Sequence, residues 1–140
     1  MSKTHIDISK DIFLKASYDI NDGVLINGLL SINVDLSLVI PDGVTSIGVS
    51  AFSKCLAIAS LVIPDGVTSI GDRAFNGCYA LTSLILPENL EIIGDYAFGG
   101  CRALTDIYYP GTQAKWEAIK GIDKAGFKGT ETIHYNYIPS

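Results

Sequence analysis

Apolar residues along this chain fall into two groups that return together every 23 residues. Leu81, Leu84 and Leu86 are matched by Ile58, Leu61 and Ile63 one unit earlier and by Leu104, Ile107 and Tyr109 one unit later. Apolar positions alternating with polar ones predict a short strand with one buried face. A second group, Val44 with Ile47, Val67 with Ile70 and Leu90 with Ile93, predicts another short inward-facing segment in each unit.

Turn-forming residues punctuate the same period. Pro41, Pro64, Pro87 and Pro110 end the first segments, and Gly43, Gly66 and Asn89 follow at a place expected to need a positive φ. Gly48, Gly71 and Gly94 end the second segments and predict a tight bend there. Asp72 and Asp95 are then expected to cap a single helical turn that carries Ala74-Phe75 or Ala97-Phe98 inward. The first unit has Val49 at the cap position, so its turn, with Ala51-Phe52, is expected to start one residue later, at Ser50.

A unit of this size cannot bury its apolar face alone, so the units must stack, with like residues about 4.8 Å apart along parallel sheets. The fold expected is a leucine-rich-repeat solenoid: a β-rich, parallel, right-handed superhelix with short helical turns and atypical ends. Three 23-residue repeats fill 36–110 of a single domain spanning 1–140. Residues 1–35 are expected to form an N-terminal cap, an irregular hairpin with tight turns at Asn21-Asp22-Gly23 and Asn27-Gly28. Residues 111–140 are expected to close the other end. There Thr112 caps a helix over 113–120 that buries Trp116 and Ile119, Gly121 stops it, and Thr132–Tyr137 forms a closing strand with Ile133, Tyr135 and Tyr137 on its buried face.

The consensus Leu-x-x-Leu-x-Ile-Pro-Asp-Gly-Val-Thr-Ser-Ile-Gly-Asp-x-Ala-Phe-x-Gly-Cys resembles the BspA-like, or treponemal-type, leucine-rich repeat, closely over 36–110. Ile20-Asn-Asp-Gly-Val-Leu25 is similar to the lead-in of that family, and Tyr108-Tyr-Pro-Gly-Thr with Trp116 to its terminal unit. Members are mostly bacterial surface or secreted proteins of adhesion and cell-cell contact. The resemblance therefore implies a cell-adhesion role on the bacterial surface, with a host matrix or bacterial surface protein as partner.

Composition narrows the remaining classes. With 48% hydrophobic and 18% charged residues the chain favours a packed fold over disorder. Its net charge of −5 leaves only Lys54, Arg73 and Arg102 as cations between 36 and 110, which argues against nucleic acid as a partner. No apolar run reaches the length of about 18 residues that a membrane helix needs, so no membrane insertion is expected. The polar stretch Met1–Lys10 lacks the apolar core of a leader peptide. The chain is expected to be cytoplasmic unless a leader has been trimmed from it, in which case it is secreted or on the cell surface.

Candidate chemistry is sparse. Cys55, Cys78 and Cys101 occupy one repeat position each, unlike the paired spacing of zinc sites, and are expected to be buried and inert. His5 and His134 have no nucleophile near them in sequence and are expected to be surface residues. Asp42, Asp65 and Glu88 should stack into a carboxylate row that either attracts Ca²⁺ or merely suits an exposed turn, and the second account is preferred. Gly99-Gly100 and Gly111 lack the Lys-Ser/Thr of a phosphate loop. No enzyme activity, cofactor or metal is expected.

Function is therefore sought on the strand face. Between the buried positions, Val39, Val62, Ile85 and Tyr108 should form one outward row, and Ser37, Ser60, Ser83 and Asp106 another. An exposed apolar stripe ending in Tyr marks an interaction site, or it reflects the preference of strands for β-branched residues. The function expected is a non-catalytic protein-recognition module, with a homodimer through the same row possible. The alternatives are an intracellular bacterial or phage interaction protein that masks a partner, and a structural spacer within a longer surface protein.

Overall fold

The computed structural model describes residues 37–138 apart from 57, together with the backbones of residue 36 and of strands 6–7, 17–21 and 24–28. Each coil of the chain gives one strand to each of two sheets. The first holds β4 (Leu36–Val39), β6 (Ile58–Val62), β8 (Ser83–Ile85), β10 (Asp106–Tyr108) and β11 (Thr132–His134), all parallel and in the order β11-β10-β8-β6-β4. The second holds β5 (Ser46–Ile47), β7 (Ser69–Ile70) and β9 (Ile92–Ile93), parallel to one another. It continues through β3 (Val24–Gly28), β2 (Ser17–Asn21) and β1 (Ile6–Asp7), the last three antiparallel.

The strand pairing carries the sequence period directly. Leu38 pairs with Leu61, Leu61 with Leu84 and Leu84 with Ile107; in the second sheet Ile47 pairs with Ile70 and Ile70 with Ile93. Between the sheets lies one continuous core of fully buried Leu, Ile, Val and Phe. Phe52, Phe75 and Phe98 stack ring on ring at 5.2 Å with interplanar angles of 3° and 6°, and Phe127 extends the column at 5.3 Å. This is the geometry expected when identical side chains are repeated at the spacing of adjacent strands.

Tight bends start at Gly48, Gly71 and Gly94 as expected, but the glycines themselves do not have a positive φ; the left-handed residues of these bends are Ser50, Arg73 and Tyr96, each at φ 56°. Glycine is required before them for another reason: a Cβ on Gly94 would lie 2.3 Å from the Asp72 nitrogen, and one on Gly71 would lie 2.7 Å from that of Val49. The glycines let one coil's backbone rest on the next. All three turns begin alike, with Ala51, Ala74 and Ala97 N–H groups bonding Gly48, Gly71 and Gly94 carbonyls, so the first does not start later. Asp72 caps the next coil, its carboxylate accepting the Asp95 N–H at 2.9 Å.

Of the three Pro-initiated turns, only Gly43 has a positive φ, at 94°. Val67 and Leu90 bond back to the Pro64 and Pro87 carbonyls in turns that leave Gly66 and Asn89 at ordinary φ. Asn27-Gly28 is part of β3, paired with β2, and is not a turn. Asp22 and Gly23, like His5, lie outside the described residues.

The last coil is longer than the others. Asp106 pairs with Thr132, where the 23-residue period would place Gly129. The extra length holds α1 (Gln113–Glu117), whose N–H at Lys115 bonds the Thr112 hydroxyl at 3.2 Å. The helix is shorter than expected because Ile119 N–H bonds the Trp116 carbonyl, a tighter turn that runs into Gly121 at φ 85°. Trp116 and Ile119 are buried, with Trp116 packed against Tyr109, Phe127 and Tyr135. The strand after it also ends early. Asn136 turns left-handed at φ 56°, so Tyr137 leaves the buried side and packs on Tyr108 across the outer face.

Candidate binding surface

The outer face of the five-stranded sheet assembles from one side chain per coil. Parallel pairing in register brings Val39 beside Val62, Val62 beside Ile85 and Ile85 beside Tyr108. Val39 is 53% exposed, and the other three are half-buried. The second row runs alongside, Ser37 next to Ser60, Ser60 next to Ser83 and Ser83 next to Asp106. Beyond it the Thr82 hydroxyl donates to the Ala59 carbonyl at 3.0 Å, which straps two successive coils together.

At its last coil the face becomes aromatic. The register places His134 beside Tyr108 and Thr132 beside Asp106. The imidazole lies flat on the Tyr108 ring at 4.4 Å and 11°, and Tyr137 meets the same ring at 4.9 Å, tilted by 52°. Asp106 accepts from His134 Nε2 at 2.9 Å and from the Thr105 hydroxyl at 2.7 Å. These two bonds, that from His134 first, hold the Asp106 carboxyl below its ordinary range. Sequence reasoning found Tyr108 and Asp106 but not His134 or Tyr137, because the longer last coil shifts both away from the 23-residue register. The alternation around Ile133 was the signal that could have aligned His134 with Tyr108.

Two of the cysteines and Glu88 have structural partners. The Cys78 and Cys101 thiols donate to the Phe52 and Phe75 carbonyls, both at 3.3 Å. Burial pushes both thiols up, that of Cys101 to about 11, so neither is primed as a nucleophile. Asp42 and Asp65 are exposed at the Pro-initiated turns, whereas Glu88 pairs with the Lys115 ammonium of α1. Among the described residues no group of three or more His, Cys, Asp or Glu is placed to hold a metal, and no helix is long and apolar enough to cross a membrane.

Two sheets, parallel throughout the repeats and wound from 23-residue coils, with Leu and Phe ladders inside and one regular strand face outside, define a leucine-rich-repeat solenoid. The chain belongs to the BspA-type leucine-rich repeat family: the profile described as "BspA type Leucine rich repeat region (6 copies)" matches residues 31–140. Proteins of this class are in general non-enzymatic repeat scaffolds that serve protein interaction. No curated protein matches the chain.

Two solved Bacteroides structures agree on the fold. A leucine-rich repeat protein from Bacteroides capillosus is similar over 95% of this chain and 99% of its own, at 25% identity and a TM-score of 0.63. One from Bacteroides ovatus is 30% identical, with a TM-score of 0.55 over 68% of this chain. A leucine rich cell surface protein from Faecalibacterium prausnitzii aligns with 84% of this chain at 25% identity and a TM-score of 0.49. The chain spans 23% of the Bacteroides ovatus protein and 42% of the Faecalibacterium protein.

Proposed function

We propose that this chain is a non-catalytic recognition module that binds a protein partner through the outer face of its five-stranded sheet. The observation that carries this reading is the in-register row Val39, Val62, Ile85 and Tyr108, flanked by Ser60, Ser83 and Asp106. Its side chains stand on a sheet fixed from behind by the Leu and Phe ladders, so little order has to be imposed when a partner docks. Tyr108, with His134 and Tyr137 packed on it, gives the row a rigid aromatic end of the kind enriched at binding hot spots. Residues 1–35 and 111–140 serve as end caps to the repeats of 36–110. The frequent surface placement of BspA-type proteins supports a role at the bacterial surface, with a host matrix or bacterial surface protein as partner.

The test is a parallel capture from purified matrix proteins and bacterial surface extract, using wild type and a folded Ile85→Glu/Tyr108→Glu variant. A defined partner held by wild type and lost by the variant supports the reading. Equal capture by both, or capture by neither, overturns it. A wild-type dimer that the variant cannot form, seen by light scattering, replaces the foreign partner with a second copy.

A further inference from the structure

The turns that lead from the second sheet back to the first form a ridge of different composition. The three cations of the 36–110 segment, Lys54, Arg73 and Arg102, all lie on this ridge and all are exposed. Two exposed tyrosines stand among them. The Arg73 guanidinium lies over the Tyr96 ring at 5.5 Å and that of Arg102 over the Tyr79 ring at 4.5 Å. Val49 and Leu56, 67% and 54% exposed, lie on the turn of the first coil.

The two stacks belong to one continuous surface. Asn76 Nδ2 donates to the Tyr96 carbonyl at 3.4 Å, and Gly77 follows it. A Cβ on Gly77 would lie 3.2 Å from Lys54 Cγ, and one on Gly100 would lie 3.8 Å from Tyr79 Cε1. Glycine at 77 leaves room for the Lys54 side chain to lie against the neighbouring coil.

The turns of the ridge share a left-handed backbone at like positions. Arg73 and Tyr96 have φ 56° and Lys54 has φ 61°, in the left-handed region where Gly or Asn would sit without penalty. Gly77 and Gly100 take that option at the positions equivalent to Lys54. Ser50 holds the same φ of 56° at the position equivalent to Arg73 and Tyr96, so the conformation belongs to the turn of each coil, and at two of the three coils it carries a long side chain on the ridge. Among the described residues none of the three cations is in a salt bridge.

We propose that this ridge is a second docking surface, which takes an acidic peptide segment of a partner protein with carboxylates set beside apolar side chains. Charge complementarity supplies the argument: unpaired guanidinium groups in a chain of net charge −5 call for a carboxylate partner. The exposed carboxylates of Asp72 and Asp95 on the same ridge would repel a uniformly charged polyanion, whereas a peptide can set apolar side chains opposite them and carboxylates opposite the arginines. Arg and Tyr together are the residues most enriched at such contacts.

The experiment is a selection from a display library of random linear peptides on wild-type protein, followed by affinity measurement on a synthesised winner. Three proteins are compared after their thermal midpoints are matched: wild type, Arg73→Gln/Arg102→Gln and Ile85→Glu/Tyr108→Glu. The expected result is a winner rich in Asp or Glu and in apolar residues. Binding should weaken about tenfold or more in the arginine variant, stay unchanged in the strand-face variant, and fall with added salt. Selection of neutral or basic peptides overturns the proposal, as does full binding by the arginine variant or an absence of any winner. Tight binding of a heparin fragment with no acidic peptide selected also overturns it, in favour of a polyanion. Loss of binding in the strand-face variant alone would assign the peptide to the sheet face and overturn the ridge.

Discussion

His134 reaches Asp106 diagonally across the final strand pair, with Nε2 of the imidazole 2.9 Å from a carboxylate oxygen and the ring seated flat on Tyr108. The histidine bond is the first cause of the lowered Asp106 carboxyl value. A carboxyl lowered in the folded state stabilises the fold above its ordinary value near 3.8, and that contribution is lost as pH falls through the lowered folded value. In His134→Ala the Asp106 titration midpoint, followed by NMR, should move up towards 3.8 and acid unfolding should begin at higher pH. Both side chains are more than a third exposed, so the change in stability is small; an unmoved midpoint would show the bond to be absent in solution.

Phe75 is the middle ring of the Phe52–Phe75–Phe98 column and is fully buried. Phe75→Ala removes contacts to both neighbouring coils and opens a cavity that rigid flanking backbones cannot fill. The expected loss is about 3–5 kcal/mol in a urea unfolding experiment. A midpoint equal to that of wild type would contradict a stacked core.

Gly94 and Gly66 separate crowding from conformational freedom. Neither has a positive φ, but a methyl on Gly94 meets the Asp72 backbone at 2.3 Å while one on Gly66 comes only to 3.4 Å from the Val44 carbonyl. Gly94→Ala should therefore destabilise by about 3 kcal/mol through forced separation of two coils. Gly66→Ala should stay within about 1 kcal/mol of wild type, with a small gain from the stiffer unfolded chain. Equal losses in calorimetry would refute the crowding account.

The contrast between what could and could not be read from the sequence has the same origin. Stacked coils need like residues at like positions, so the Leu, Ile and Phe ladders and the outward row from Val39 to Tyr108 were visible as a period. Backbone conformation leaves no such mark where the residue is not glycine. Nothing in the letters Ser50, Arg73 and Tyr96 announces a left-handed turn, and the bend read correctly at Gly94 does not reveal that glycine is required there by the Asp72 backbone of the neighbouring coil. The aromatic end of the face was hidden because α1 lengthens the last coil, which takes His134 out of register, and because Asn136 carries Tyr137 across to the outer side. The cation–π pairs on the ridge join residues of adjacent coils at like repeat positions, Arg73 with Tyr96 and Tyr79 with Arg102, but because the residue types differ from coil to coil the period in apolar positions did not draw attention to them.

The fixed pairing of Ser60 with Ser83 in one sheet and Ser69 with Ile92 in the other ties both sheets to a single increment of chain length. Gain or loss of one whole increment within the coils returns every ladder to like partners, and only the reach of the outer face changes. A change of any other size must be looped out at a turn or it misaligns both sheets at once, as the lengthened final coil illustrates by spending its surplus on a helix. For such a molecule the size of the binding face can evolve by duplication in discrete steps without redesign of the core, while single-residue insertions in the strands are purged.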